Sequence, residues 1–133
     1  MGRYAVKIVV ALAALVLAGI ATGASYRGYV PVVISGNPGC ADVPNLSFTT
    51  QVRFSTPVNG ATAGGVHITV DGNTLGWYTL GDILVKAVIV KGGPNANLYR
   101  YPAIDDYSDG TLLPPVNTKT GSVYSLGSAT FCY

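Results

Sequence analysis

Short apolar or alternating runs, cut at intervals of roughly 8–15 residues by Gly, Pro, Asn and Asp, govern what this chain can become. Helical periodicity is absent, so the runs read as strands. They are Tyr29–Ile34, Leu46–Phe54, Gly65–Val70, Thr74–Leu80, Ile83–Lys91, Asn97–Tyr101 and Gly127–Cys132. Leu46, Phe48, Thr50, Val52 and Phe54 fall on one face, with Ser47, Thr49, Gln51 and Arg53 on the other, the mark of a half-buried antiparallel strand. Val66, Ile68 and Val70 alternate with His67 and Thr69, and Asp71-Gly72-Asn73 then supplies residues that tolerate positive φ. A hairpin into Thr74 follows. Ile83 to Val90 is apolar apart from Lys86, as a central strand buried on both sides would be. From Gly92 to Pro115 turn residues dominate, a long loop region interrupted by Asn97–Tyr101. The pattern predicts an all-β fold, an antiparallel β-sandwich of about seven strands.

The first 24 of the 133 residues fall outside that pattern. Arg3 and Lys7 precede an apolar run from Ile8 to Ala24 that ends in the small residues Thr22-Gly23-Ala24. This is the layout of a cleaved signal peptide. An uncleaved anchor is the alternative, but seventeen residues of helix reach only about 25 Å, short of a bilayer core of roughly 30 Å. The expected organisation is a signal peptide over 1–24, an N-terminal extension or strand over 25–39, and the sandwich over 40–133, secreted or held at the cell surface. Arg3 and Lys7 account for the whole formal charge of +2. What remains carries six basic and six acidic residues, the latter all Asp, so there is no electrostatic case for nucleic acid or, after cleavage, for a membrane surface. So little charge also protects weakly against self-association.

Cys40 and Cys132 are the only cysteines. In an exported chain an isolated pair reads as a disulfide; the rival reading, a metal or nucleophilic thiol pair, lacks a CxxC spacing and has one histidine for support. That histidine, His67, sits on the polar side of its strand with no GxSxG motif elsewhere to act on, which makes it an ordinary surface residue. The aspartates lie mostly in turns, where Asp is favoured for its own backbone hydrogen bonds, rather than as a hydrolytic carboxylate pair. Asp105, Asp106 and Asp109, followed by Gly110, form one acidic cluster. It reads as a solvated turn or as a Ca²⁺ loop, although Tyr107 breaks the EF-hand spacing. Tyr99, Tyr101 and Trp77 either pack across a sheet or stand exposed to stack on a glycan. Asn45-Leu46-Ser47 is a glycosylation acceptor triplet. Finally, Val30, Val32 and Ile34 lie on one face of an apolar strand before the first cysteine. That strand pairs within its own domain or is donated to the sheet edge of a neighbouring subunit.

Ala87-Val88-Ile89-Val90-Lys91-Gly92-Gly93-Pro94-Asn95-Ala96-Asn97 resembles a segment of an uncharacterised β-sandwich module found in secreted and surface proteins of bacteria and some archaea. The resemblance continues at Tyr99, Tyr101 and Asp109, at Leu113-Pro114-Pro115-Val116-Asn117, at Tyr124-Ser125-Leu126 and at Phe131-Cys132-Tyr133. Asn37-Pro38 with Cys40-Ala41-Asp42 is similar to the module's opening. About half of the chain beyond residue 24 is covered. The resemblance implies a β-sandwich with Cys40 bonded to Cys132. The module tends to carry a His just before its final Phe-Cys; here Gly127-Ser128-Ala129 stands in that place.

These readings converge on a secreted, non-enzymatic structural or adhesive protein of the cell surface, whose partners are its own copies or other surface proteins. A self-assembling fibre subunit that donates its N-terminal strand is the sharper form. A carbohydrate-binding module, with glycans as partners, is the alternative, and a hydrolase the remote one. No cofactor is called for beyond Ca²⁺ at the acidic cluster.

Overall fold

The computed structural model describes residues 23–133; the expected leader lies outside them, save Gly23 and Ala24. Nine strands form: β1 (Val32–Ser35), β2 (Gln51–Phe54), β3 (Thr62–Ala63), β4 (Val66–Asp71), β5 (Thr74–Thr79), β6 (Ala87–Gly92), β7 (Asn95–Arg100), β8 (Ser108–Leu112) and β9 (Ser128–Cys132). They build two antiparallel sheets, one in the order β1-β7-β6-β9-β2 and one in the order β3-β4-β5-β8. The fold is the expected all-β sandwich with a Cys40–Cys132 disulfide.

Alternation explains the packing between the sheets. Val66 and Ile68 of β4 and Leu75 and Trp77 of β5 point inward, against Val88 and Val90 of β6, Tyr99 of β7 and Phe131 of β9. Trp77, Tyr101 and Phe131 meet edge to face, with ring centroids 5.3 and 5.8 Å apart. Such pairs prefer that geometry because the positive ring edge meets the negative face. Strand β6 is the second half of the central strand expected over Ile83–Lys91, buried at five of its six positions and flanked by β7 and β9, while Ile83–Lys86 precede it outside any strand. Its other face, with Ala87 and Ile89, meets a second core of Cys40, Val43, Ala96, Leu98 and Cys132. The segment after β1 crosses this outer face, turns through a short 3-10 helix at Cys40–Asp42, and is tied there to β9 by the disulfide.

Two hairpins set the register. Strands β4 and β5 pair from Val66↔Thr79 to Asp71↔Thr74, around Gly72-Asn73. Strands β6 and β7 pair down to Gly92↔Asn95, around Gly93-Pro94. Gly93 has φ +57°, and a Cβ there would strike the Tyr124 ring; one on Gly92 would strike Pro114. The segments at 92–97, 113–117 and 124–126 that carried the resemblance therefore meet as one packing unit around a turn.

The strand expected over Leu46–Phe54 is shorter and changes face midway. The N–H groups of Thr49 and Thr50 both donate to the Tyr133 carbonyl, at 2.8 and 2.6 Å. Two residues opposite one is a bulge, and a one-residue slip turns every later side chain over. Leu46 and Phe48 consequently pack on the outer core, while Val52 and Phe54 face the inner one. The long loop also contains a strand. Ser108–Leu112 looks polar, yet β8 pairs with β5 and buries Asp109 and Leu112.

Candidate functional site

Of the expected site residues, Tyr101, Asp105, Asp106 and Asp109 come together around β8 as a structural network. The chain enters along the edge of β8, where the Tyr26 N–H donates to the Gly110 carbonyl at 2.7 Å and the Arg27 N–H to Asp109 Oδ1 at 3.0 Å. The Tyr101 hydroxyl donates to Asp109 Oδ2 at 2.7 Å, and the Gly110 N–H to Oδ1 at 2.8 Å. Asp106, fully buried, accepts from the Tyr29 hydroxyl at 3.0 Å and from the Ala103 N–H at 2.9 Å. Arg27 lies 3.5 Å from Asp106 and 3.4 Å from the exposed Asp105. Burial works against the Arg27 charge, but Asp105 and then Asp106 outweigh it and hold the guanidinium above its ordinary pKa. Burial, followed by the hydrogen bond to Asp106, raises Tyr29. Burial, followed by the Asp109 charge, raises Tyr101 far more.

This arrangement corrects the Ca²⁺ expectation. Asp105 stands in solvent, and the oxygens of Asp106 and Asp109 are directed at protein donors rather than at a shared point. Among the described residues no three His, Cys, Asp or Glu side chains group as a metal site. The glycan-stacking expectation is corrected as well. Tyr99, Tyr101 and Trp77 are core residues, 0%, 4% and 2% exposed, so no sugar ring reaches their faces. The Tyr99 hydroxyl donates to the Gly23 carbonyl at 2.5 Å and accepts from the Leu113 N–H at 3.0 Å. Burial pushes its pKa up to about 12, against the smaller opposing effect of the Leu113 hydrogen bond. The Trp77 indole N–H, in the same core, is buried without a partner among the described residues. His67 stacks on Tyr78 at 4.6 Å and its Nδ1 lies 2.8 Å from the Thr62 hydroxyl.

The strand-donation expectation for Val30, Val32 and Ile34 also changes. Strand β1 pairs antiparallel with β7 of its own sheet, Val32 opposite Leu98 and Ile34 opposite Ala96. Ile34 packs on the outer core. Val30, Val32 and Val33 do not; they are 58%, 60% and 59% exposed. Val32 and Val33 point to opposite faces of an edge strand, and neither face is covered there. Sequence alternation found the apolar strand and missed Val33, because on a bare edge both faces are surface.

Two open depressions mark the remaining surface. One, of about 470 Å³, is lined by Tyr26, Arg27, Ser108, Asp109, Gly110 and Thr111. The other, of about 280 Å³, is lined by Asn45, Leu46, Ser47, Lys86, Arg100, Tyr101 and Pro102. Comparison with protein-family models, with curated proteins and with solved structures finds no match to this chain.

Proposed function

We propose that this chain is an exported structural or adhesive protein of the cell surface, non-enzymatic, which assembles with its own copies through the free edge of β1. The observation that carries the reading is that edge: Val32 and Val33, more than half exposed on a strand whose outer side has no partner among the described residues, with the equally exposed Val30 just before it. An unpaired edge is a template for another strand. Residues 28–38 contain no charge, so the same strand of a second copy, approaching antiparallel about a two-fold axis, meets no like-charge repulsion. Covering the valines favours association by about 1 kcal/mol each, in addition to the strand pairing. Assembly is then by edge pairing between closed domains rather than by donation. The long disulfide suits an oxidising space outside the cell.

Analytical ultracentrifugation and negative-stain microscopy test this. Dimers are expected at high concentration, because a two-fold edge contact closes on itself, and Val33→Lys, which places a charge on the edge, is expected to reduce them to monomers. Globular monomers at high concentration for the parent protein would sink the reading. A glycan-binding role finds a different aromatic from those expected: Tyr26, 82% exposed beside the larger depression. Binding on a glycan array that disappears with Tyr26→Ala would favour it.

A further inference from the structure

The geometry points to Asn45 as an acceptor of an N-linked glycan, a modification that rests on the export reading and adds a covalent ligand to it. Asn45-Leu46-Ser47 is the only Asn-X-Ser/Thr triplet among the seven asparagines. Its placement is what attachment needs. Asn45 stands in the turn after the 3-10 helix at φ +57°, a left-handed conformation that Asn tolerates better than most residues. Leu46 turns inward and packs on the outer core beside Phe48, which sends Asn45 and Ser47 to the solvent side together. Asn37, Asn59, Asn73, Asn97 and Asn117 hold protein partners through their carboxamides. Asn45 has no such partner among the described residues and is exposed.

Both ends of the triplet line the 280 Å³ depression with Lys86, Arg100, Tyr101 and Pro102. Arg100 reaches across to donate to the Pro44 carbonyl at 2.6 Å, fixing the turn just before the acceptor. The first sugar on Asn45 would lie over this shelf, with the Lys86 ammonium and Arg100 guanidinium as donors for its hydroxyl and carbonyl oxygens. In the transfer, Asn45 Nδ2 attacks the anomeric carbon of a lipid-pyrophosphate-linked oligosaccharide. The nitrogen–carbon bond forms and the bond from that carbon to the pyrophosphate oxygen breaks. The lipid pyrophosphate leaves with the electron pair, and the amide proton passes to a base of the transferase.

The test is the intact mass, with and without thiol alkylation, of the protein purified from the cells that export it. The parent and Ser47→Thr are expected to exceed the polypeptide mass by one glycan. Asn45→Gln and Ser47→Ala are expected to lose that excess entirely, the second without touching the left-handed turn. A closed disulfide with no excess mass, or an excess that survives both variants, would overturn the proposal and leave the export reading in place. Two alkylatable thiols would overturn both.

Discussion

The two edges of the five-stranded sheet are finished differently. On the β2 side the chain is clasped. Cys40 is bonded to Cys132 of β9, its N–H donates to the Gln51 side chain at 2.7 Å, and the Arg53 guanidinium donates to Asn37. On the β1 side lie three exposed valines and, among the described residues, no covering segment. The edge of β8 in the other sheet is overlaid by Tyr26 and Arg27, and β3 is only two residues long. Shortness, charge and covering segments are the usual protections of an edge. This molecule has the exposed charge of Arg53 on β2, the overlay on β8 and the shortness of β3, whereas β1 presents only uncharged residues. The contrast teaches that the apolar surface of β1 is a local feature and not a general poverty of protection.

The largest expected effect falls on the clasped edge. Replacing both cysteines by serine opens a 92-residue loop, which on the chain-entropy account costs about 4.5 kcal/mol. Denaturant titration checks this, and self-association through β1 should persist in what remains folded; its loss would mean that the two edges are not independent. Next comes the turn beside the bare edge, where the Gly36 N–H donates to the Pro94 carbonyl at 2.9 Å. Gly93→Ala introduces a Cβ at positive φ against Tyr124 and is expected to cost about 3 kcal/mol. Adding Tyr124→Ala should recover part of it.

High pH probes the buried tyrosines of the inner core. The Tyr99 pKa rises from an ordinary 10.0 to about 12 on folding. The neutral phenol is therefore favoured in the fold. The stability it contributes is complete below pH 10 and is lost as the pH climbs towards 12, roughly 2–3 kcal/mol in all. Unfolding followed by tyrosinate absorbance should show buried tyrosines ionising late and together with unfolding; early, independent titration would contradict the packing. Tyr101→Phe removes the donor to Asp109 Oδ2 and is expected to cost about 2 kcal/mol in denaturant, because a buried carboxylate oxygen loses its partner. The smallest effect on stability belongs to Val33→Lys, under about 0.5 kcal/mol. Its effect on assembly should be the largest, and a variant that still self-associates would place the contact elsewhere.

Legibility followed the range of the interactions. The hairpin at Gly72-Asn73, the inward set Val66 and Ile68, and the buried β6 were readable because alternation and turn chemistry are written in adjacent residues. The face change at Thr49–Thr50 was not, since it depends on the Tyr133 carbonyl at the far end of the chain. Strand β8 escaped for the same reason. Asp109 looks like a turn residue until Tyr101 and Arg27 are brought to it.

The sequence alone therefore determined the all-β class, the sandwich and the cysteine pair, because each rests on local periodicity or on there being only two thiols to join. Only the tertiary structure decided that Tyr99, Tyr101 and Trp77 are core, that Asp106 and Asp109 are taken by protein donors, and that β1 closes onto β7 with its outer edge free among the described residues. Exposure and pairing are properties of what the rest of the chain places nearby. An alternating pattern gives the sides of a strand and leaves open which side, or which edge, meets water.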